Sequence, residues 1–293
     1  MTSFIILNYN TSVLSGKCVD SILKFVRAEE CEIIVVDNAS SEEERASLHK
    51  LLDGKCKIVQ SHINCGFGSG NMYGANAASG DYLCFLNSDV ELVEDCITPL
   101  CQYLEQHPDV GCVTPQQYDG KGNHARSFRH QTGIRHELFG DSLFQKINPK
   151  KYPDPDDDKR TEPLEVSQIN GSFMLFPTDK FWTIGGFDTN IFLYYEEYDI
   201  GIRLIKHGWK NVVIPAYRFN HLYSASIRKS KSLTYRELYI SKIYTYNKHH
   251  NYLMALTYRM LNILQLLFKP KKWYVLKAIC HGDVLSQSMR HMV

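Results

Sequence analysis

From residue 3 to residue 115 short β-branched and aromatic runs alternate with stretches whose apolar positions recur every three or four residues. The runs predict strands at Phe4 to Leu7, Glu32 to Val36, Lys57 to Gln60, Tyr82 to Leu86 and Val110 to Thr114. The stretches between them predict helices at Val13 to Phe25, Ser41 to Leu52, Asn71 to Ala78 and Glu94 to His107. The second opens on the capping box Ser40-x-x-Glu43, and Pro108 closes the last. Strands alternating with helices pair in parallel, are covered on both faces and hold ligands beyond their carboxyl ends. The expected class is α/β, a mostly parallel sheet with helices on both faces.

The rhythm is lost from 116 to 163, which predicts a long irregular connection or lid ending in the acidic run Pro153 to Asp158. It resumes with a strand at Val166 to Phe176, a short helix at Thr178 to Ile184, a helix at Glu196 to His207 stopped by Gly208, and a strand at Asn211 to Ile214. From Leu233 onward the pattern is helical. Two units are therefore expected, a ligand-binding and catalytic domain over 1–230 and a basic helical appendage over 231–293. Leu253 to Phe268 is the longest apolar stretch, but it carries Arg259, Asn262 and Gln265 and falls short of the roughly 20 residues that span a bilayer.

A hydrophobic content of 44% against 22% charged residues excludes a disordered chain. The net charge of +1 conceals an asymmetry: 17 Lys and Arg face 30 Asp and Glu up to residue 200, and 16 face 2 after it. The C-terminal third is therefore expected to meet something anionic. Nucleic acid is the weaker choice, because no zinc-knuckle, helix-turn-helix or RNP-type pattern accompanies the charge. An anionic membrane surface meeting residues 253–274 fits the apolar helix followed by Lys269, Lys271, Lys272, Trp273 and Tyr274; packing in a homodimer is the rival. The nine cysteines contain no C-x-x-C, and the N-terminus lacks the basic start of a signal peptide. Both features predict cytoplasmic residence, at most peripheral to the inner face of the plasma membrane.

Chemistry is expected where strands end. Asn8-Tyr9-Asn10 and Asp37-Asn38-Ala39-Ser40 follow the first two strands, where their amides and carboxylate suit base edges, although each is also ordinary turn chemistry. The segment Asn64 to Asn71 is glycine-rich and opens a helix, a place for close backbone approach to a nucleotide or for tight packing. Asn87-Ser88-Asp89 ends the central strand and is either a plain turn or a site that offers Asp89 as an oxygen ligand for Mg2+ or Mn2+. Glu196, Glu197 and Asp199 gather at a helix start, either as dipole partners with an Asp199 to Arg203 pair or as a general base. Arg126 and Arg129 in the irregular stretch suit a phosphate, although an exposed arginine at the surface is the default for this residue.

Six motifs occur in order: Ile5 to Asn10, Val35 to Ser40, Asn64-x-Gly66-Phe67-Gly68-x-Gly70-Asn71, Gly80 to Leu92, Gly185 to Asp188 and Phe192 to Asp199. Together they resemble glycosyltransferase family 2, in its rhamnosyltransferase-like branch, over roughly residues 3 to 225. The resemblance implies a GT-A (Rossmann-like) fold, a nucleotide-diphosphate-sugar donor, a divalent metal, inversion at the anomeric carbon, and a glycan or lipid-linked saccharide acceptor in cell-surface polysaccharide synthesis. It assigns the nucleotide-sugar site to Asn8, Tyr9, Asn10, Asp37, Asn38, Gly66, Phe67, Gly70, Asn71, Asn87, Ser88 and Gly171. It assigns the metal to Asp89 and His221, and the catalytic group to Glu197 with Glu196 and Asp199. Two positions depart from the family pattern: Asn87 replaces an acid, and Glu197 stands where aspartate is usual. They leave open a catalytically silent nucleotide-sugar or glycan-binding module. The favoured donor is deoxythymidine-diphosphate-rhamnose, with UDP-galactofuranose or a UDP-hexose as the alternative.

Overall fold

The computed structural model describes residues 1–130, 133–222 and 231–292. The chain opens with β1 (Thr2–Asn8), α1 (Ser12–Phe25), β2 (Cys31–Asn38), α2 (Glu42–Leu52), β3 (Lys57–Ser61), α3 (Phe67–Ala77), β4 (Tyr82–Asn87), β5 (Val90–Leu92), α4 (Ile97–Gln106) and β6 (Val110–Asp119). There follow β7 (Phe128–Arg129), α5 (Ile134–Phe139), α6 (Asp141–Ile147), β8 (Leu164–Val166), β9 (Gln168–Ile169), β10 (Phe173–Pro177), α7 (Thr178–Thr183), α8 (Glu196–Lys206) and β11 (Lys210–His221). Three helices come last, α9 (Lys231–His249), α10 (Tyr252–Leu267) and α11 (Trp273–Cys280).

Nine strands form one sheet in the order β3-β2-β1-β4-β10-β6-β11-β5, with β8 also paired to β11. The first four lie parallel, as the βα alternation predicts. Because successive strand residues point to opposite faces, Phe4 and Ile6 pack under Ile22, Leu48 and Leu100 of α1, α2 and α4. Ile5 packs on the other side with Ala75, Phe181 and Leu204 of α3, α7 and α8. Burial on both faces is why these strands read as unbroken apolar runs. Each such side chain contributes about 1.5 to 3 kcal/mol.

The sheet is more mixed than the sequence pattern predicts. β10 runs antiparallel between β4 and β6, and β5 and β8 run antiparallel to β11. The expected strand from Val166 to Phe176 is three pieces, because β9 leaves the sheet to pair with β7 and the chain bends through Asn170-Gly171-Ser172. The stretch from 116 to 163 is less irregular than expected: β6 extends to Asp119, and α5 and α6 follow. The glycine-rich segment is the first turn of α3, which starts at Phe67 rather than Asn71. The cap of α2 lies one residue later than the expected box, on Ser41, which accepts from the Glu44 amide. Ser40 is unavailable for capping because its hydroxyl accepts from Asn8 and from the Asn10 amide.

The C-terminal helices have their own core around Ile243, Tyr258, Leu266, Val275 and Ile279. They are also tied to the sheet domain, for the Ser241 hydroxyl donates to the Leu193 carbonyl at 2.9 Å and Lys248 and His249 reach Asp199 of α8. The expected domain boundary at residue 230 lies outside the described residues. Among the described residues no helix is long and apolar enough to cross a membrane.

Candidate active site

The parallel register sets Asn8 beside Asp37 and Asp37 beside Gln60, at the carboxyl ends of β1, β2 and β3. Asn8 is completely enclosed. Its amide donates to Asp37 Oδ1 at 3.2 Å and Ser40 Oγ at 3.0 Å, and its Oδ1 accepts from the Ser15 hydroxyl at 2.9 Å. It therefore acts as a strut between two loops; no part of the amide remains for a base edge, contrary to the expected role. Asp37 is equally buried and accepts from Asn8, the Ser40 amide and Gln60, three of the roughly four bonds a carboxylate can take. Tyr9 is exposed and Asn10 sits at φ 55°, with its Oδ1 accepting from the Ser41 amide. These two residues form the outward surface of that end.

Asn38 holds the start of α3. Its amide nitrogen donates to Asn64 Oδ1 and the Gly66 carbonyl, and its Oδ1 accepts from the Cys65 amide. Gly66 has φ 86°, and a Cβ there would lie 2.2 Å from the Phe192 carbonyl oxygen, which accepts from the Phe67 amide at 2.8 Å. Only glycine allows that approach. A Cβ on Gly70 would lie 2.4 Å from a methyl carbon of Leu7, so this glycine serves packing of α3 on β1 rather than contact with a donor. Asn71 is buried; its nitrogen donates to the Phe67 carbonyl, while its Oδ1 has no partner among the described residues.

The first loop after β4 carries Ser88, 3.0 Å from the Thr11 hydroxyl, and then Asp89. β11 runs beyond the expected Ile214 as far as His221, which pairs across from Val90. That register brings His221 Nε2 to 3.0 Å from Asp89 Oδ1, and the Leu222 amide donates to the Asp89 carbonyl. A carboxylate and an imidazole on one spot suit a divalent ion that completes its shell with phosphate oxygens and water. No larger cluster of ion-holding side chains occurs among the described residues.

α8 is entered through Tyr194 and Tyr195, both at positive φ, a strained approach for residues with side chains. Glu196 is buried and its Oε1 has no partner among the described residues. Burial, reinforced by the charge of Glu197, raises its carboxyl well above the usual range. Burial also raises Glu197; a backbone hydrogen bond and, after it, the Arg129 guanidinium oppose the rise. The Glu197 carboxyl carbon would be 3.9 Å from a Cβ placed on Gly171, beside the ring of Phe67. The neighbouring Ser172 carbonyl accepts from the Asn87 amide at 3.0 Å, and Asp89 stands two residues further along the chain. One short path thus links Glu197 through Gly171, Ser172 and Asn87 to Asp89.

Asp199 is engaged differently from its two neighbours. Burial alone would raise it, yet the hydrogen bond from His249 and the charges of Arg203 and Lys248 hold it at about 2. Both oxygens are taken: Oδ1 by Lys248 and His249 at 2.7 Å each, and Oδ2 by Arg203 at 2.6 Å. It fastens α8 to α9. Lys248 also bonds Asp188, which accepts from the Tyr244 hydroxyl. Lys248, His249 and Gln60 are contributors that sequence reasoning missed, since nothing local distinguishes them. Of the two arginines, Arg126 is paired with Asp156 of the acidic run, whereas Arg129 lies within electrostatic reach of Glu197. A hollow of about 420 Å3 beside Asn64, Ser69, Tyr73 and Arg290 includes none of these carboxylates, so volume does not mark the site.

The model of glycosyl transferase family 2 matches residues 3–183. N-acetylglucosaminyl-diphospho-decaprenol L-rhamnosyltransferase of Mycobacterium tuberculosis is 30% identical over 147 residues, 48% of this chain and 47% of its own. Rhamnosyltransferase WbbL of Escherichia coli is 27% identical over 145 residues, 49% of this chain and 53% of its own. The match spans about half the length of these curated relatives. Among solved structures, the mannosyltransferase PcManGT from Pyrobaculum calidifontis in complex with GDP-Man and Mn2+ superposes with a TM-score of 0.62 at 14% identity, covering 96% of this chain and 75% of that one. The mixed sheet with its carboxyl-end site is a GT-A fold, and with the family model covering more than half its length the chain belongs to glycosyltransferase family 2.

Proposed function

We propose that this glycosyltransferase moves rhamnose from a nucleoside-diphosphate donor to a hydroxyl of a lipid-linked saccharide, with inversion at the anomeric carbon. The observation that carries the reading is the path from Glu197 to Asp89, which joins two carboxylates more than a hundred positions apart at one end of the sheet. The sugar and acceptor rest on the names of the mycobacterial and E. coli relatives.

Two adjacent carboxyls of unequal basicity divide the labour. Burial raises both, Glu196 further because of the charge of Glu197, while a backbone hydrogen bond and then the Arg129 guanidinium oppose the rise at Glu197, which makes Glu197 the member suited to act as base. Glu197 accepts the proton of the acceptor hydroxyl as that oxygen bonds to the anomeric carbon. The bond from that carbon to the diphosphate oxygen breaks on the opposite face, and its electron pair leaves with the nucleoside diphosphate. Asp89 and His221 would hold Mg2+ or Mn2+, which when bound neutralises charge on the departing diphosphate. The α3 start, the exposed Tyr9 and the half-buried Asn10 bound the donor's side of the cleft.

The test is transfer with Mn2+ from deoxythymidine-diphosphate-rhamnose, UDP-galactofuranose and UDP-hexoses to a lipid-linked N-acetylglucosamine diphosphate, with the product anomer read by NMR. Glu197→Gln is expected to lose about 10²- to 10⁴-fold in rate while still binding donor, and Asp89→Ala to lose metal-dependent turnover. A retained anomeric configuration, or near-normal turnover in both variants, overturns the mechanism. Donor binding by the wild type without any transfer leaves a binding module instead.

A further inference from the structure

α10 is apolar on the side that faces away from the protein. Ala255, Tyr258, Asn262 and Leu266 point into the core. On the opposite side Leu253, Leu256, Met260, Leu264 and Leu267 make one line at three- and four-residue spacing, and all are exposed, Met260 at 55% and Leu264 at 52%. The line runs the length of the helix, about 24 Å at 1.5 Å per residue, and continues into exposed Phe268, Trp273 and Tyr274. A globular helix normally turns such a stripe inward.

A second element adjoins it. Glu137 of α5 accepts from the Tyr258 hydroxyl at 3.1 Å and from Lys242 at 2.5 Å, and its carbonyl accepts from Gln265 at 3.4 Å, so α5 sits against α10. From α5 and α6, Leu138, Phe139, Leu143 and Ile147 are exposed as well. Cations flank both pieces. Lys146, Lys150 and Lys151 lie on and just after α6, and Lys269, Lys271 and Lys277 on and around the turn into α11, all exposed. Between Glu237 and Asp283 the chain has no carboxylate.

We propose that α5–α6 and α10–α11 together form a docking face for an anionic phospholipid leaflet. The apolar line enters the boundary between headgroups and acyl chains, the lysines meet lipid phosphates, and Trp273 and Tyr274 occupy the interface. Charge selects this occupant over a second copy docking through the same face, which would set like charge against like: 252–282 carries five Lys and Arg and no acid, and 133–151 carries four against Glu137 and Asp141. The face stands on its own surface chemistry and does not depend on the identity of the donor. It would hold the protein on the leaflet that carries a lipid-linked acceptor, with β7 and its Arg129 just ahead of α5 in the chain.

The test is flotation of the full chain with vesicles of phosphatidylcholine alone and of phosphatidylcholine mixed with phosphatidylglycerol. Binding is expected only to the second and is expected to weaken as salt rises. Met260→Glu and Phe139→Glu, one in each piece, should each weaken it at least roughly ten-fold, and each of Lys269→Glu and Lys150→Glu by about five-fold or more. All four positions are exposed, so an unchanged circular dichroism spectrum and nucleotide-induced thermal shift are expected, and these readouts separate failure of docking from failure of the transferase reading. Equal uptake by both vesicle types, or full binding after Phe139→Glu, overturns the proposal. So does a wild-type dimer in sedimentation velocity that Met260→Glu dissociates, with no vesicle uptake.

Discussion

Replacing Asp199 by asparagine tests whether α8 is fastened by an ionised clamp. The aspartate is almost wholly buried, at 1% side-chain exposure, so its interactions are little screened by water. Its partners hold it at about 2 against an ordinary 3.8, a gap that corresponds to about 2 kcal/mol of stability. The sign follows from a folded-state value below the unfolded one. The contribution is complete above the unfolded pKa, at pH 5 to 7, and is lost as pH falls through 4 toward 2, with roughly half gone by pH 3. Asparagine keeps the shape and does not titrate. Urea unfolding of wild type and Asp199→Asn at pH 7, 5 and 3 should therefore show a gap that is equal at the two higher values and smaller by about 1 kcal/mol at pH 3. At neutral pH the gap should be at least about 2 kcal/mol, since the Arg203, Lys248 and His249 groups lose the charge they were arranged around. A gap that is the same at all three pH values would refute the clamp, whatever its size.

The strained start of α3 makes a second prediction. Gly66→Ala meets both a positive φ of 86° and the Phe192 carbonyl, which should cost about 2 kcal/mol or more and lower the Tm by several degrees; a variant that melts with the wild type contradicts the close approach. A third concerns pH and rate. Because burial raises Glu197 above the ordinary 4.5, transfer should fall on acidification along a limb centred above that value, and Arg129→Gln should move the limb to higher pH by removing the charge that opposes the rise. A limb that stays in place in Arg129→Gln removes this arginine from the site's electrostatics.

The amino-acid sequence by itself determined the parallel half of the sheet. Alternation along a strand and the 3.6-residue period along a helix are local, so the buried faces of β1, β2, β4, α1 and α2 are legible from Phe4 to Leu86 without knowing what covers them. It also placed Asn8, Asp37, Asp89 and the Glu196 to Asp199 group at element ends, where a parallel sheet puts its ligands. What those groups do was decided by partners distant in the chain. Asn8 became a strut because Ser15, Asp37 and Ser40 converge on it, and Asp199 a fastener because α9 folds back with Lys248 and His249. The meeting of Asp89 with His221 needed β11 to overrun its expected end, and the bend at Gly171 needed β10 to insert antiparallel beside β4. Local pattern encodes which side of an element avoids water; only the closed tertiary structure decides which buried charge is neutralised, which stays basic and which face of α10 is left bare, because those energies depend on what stands opposite.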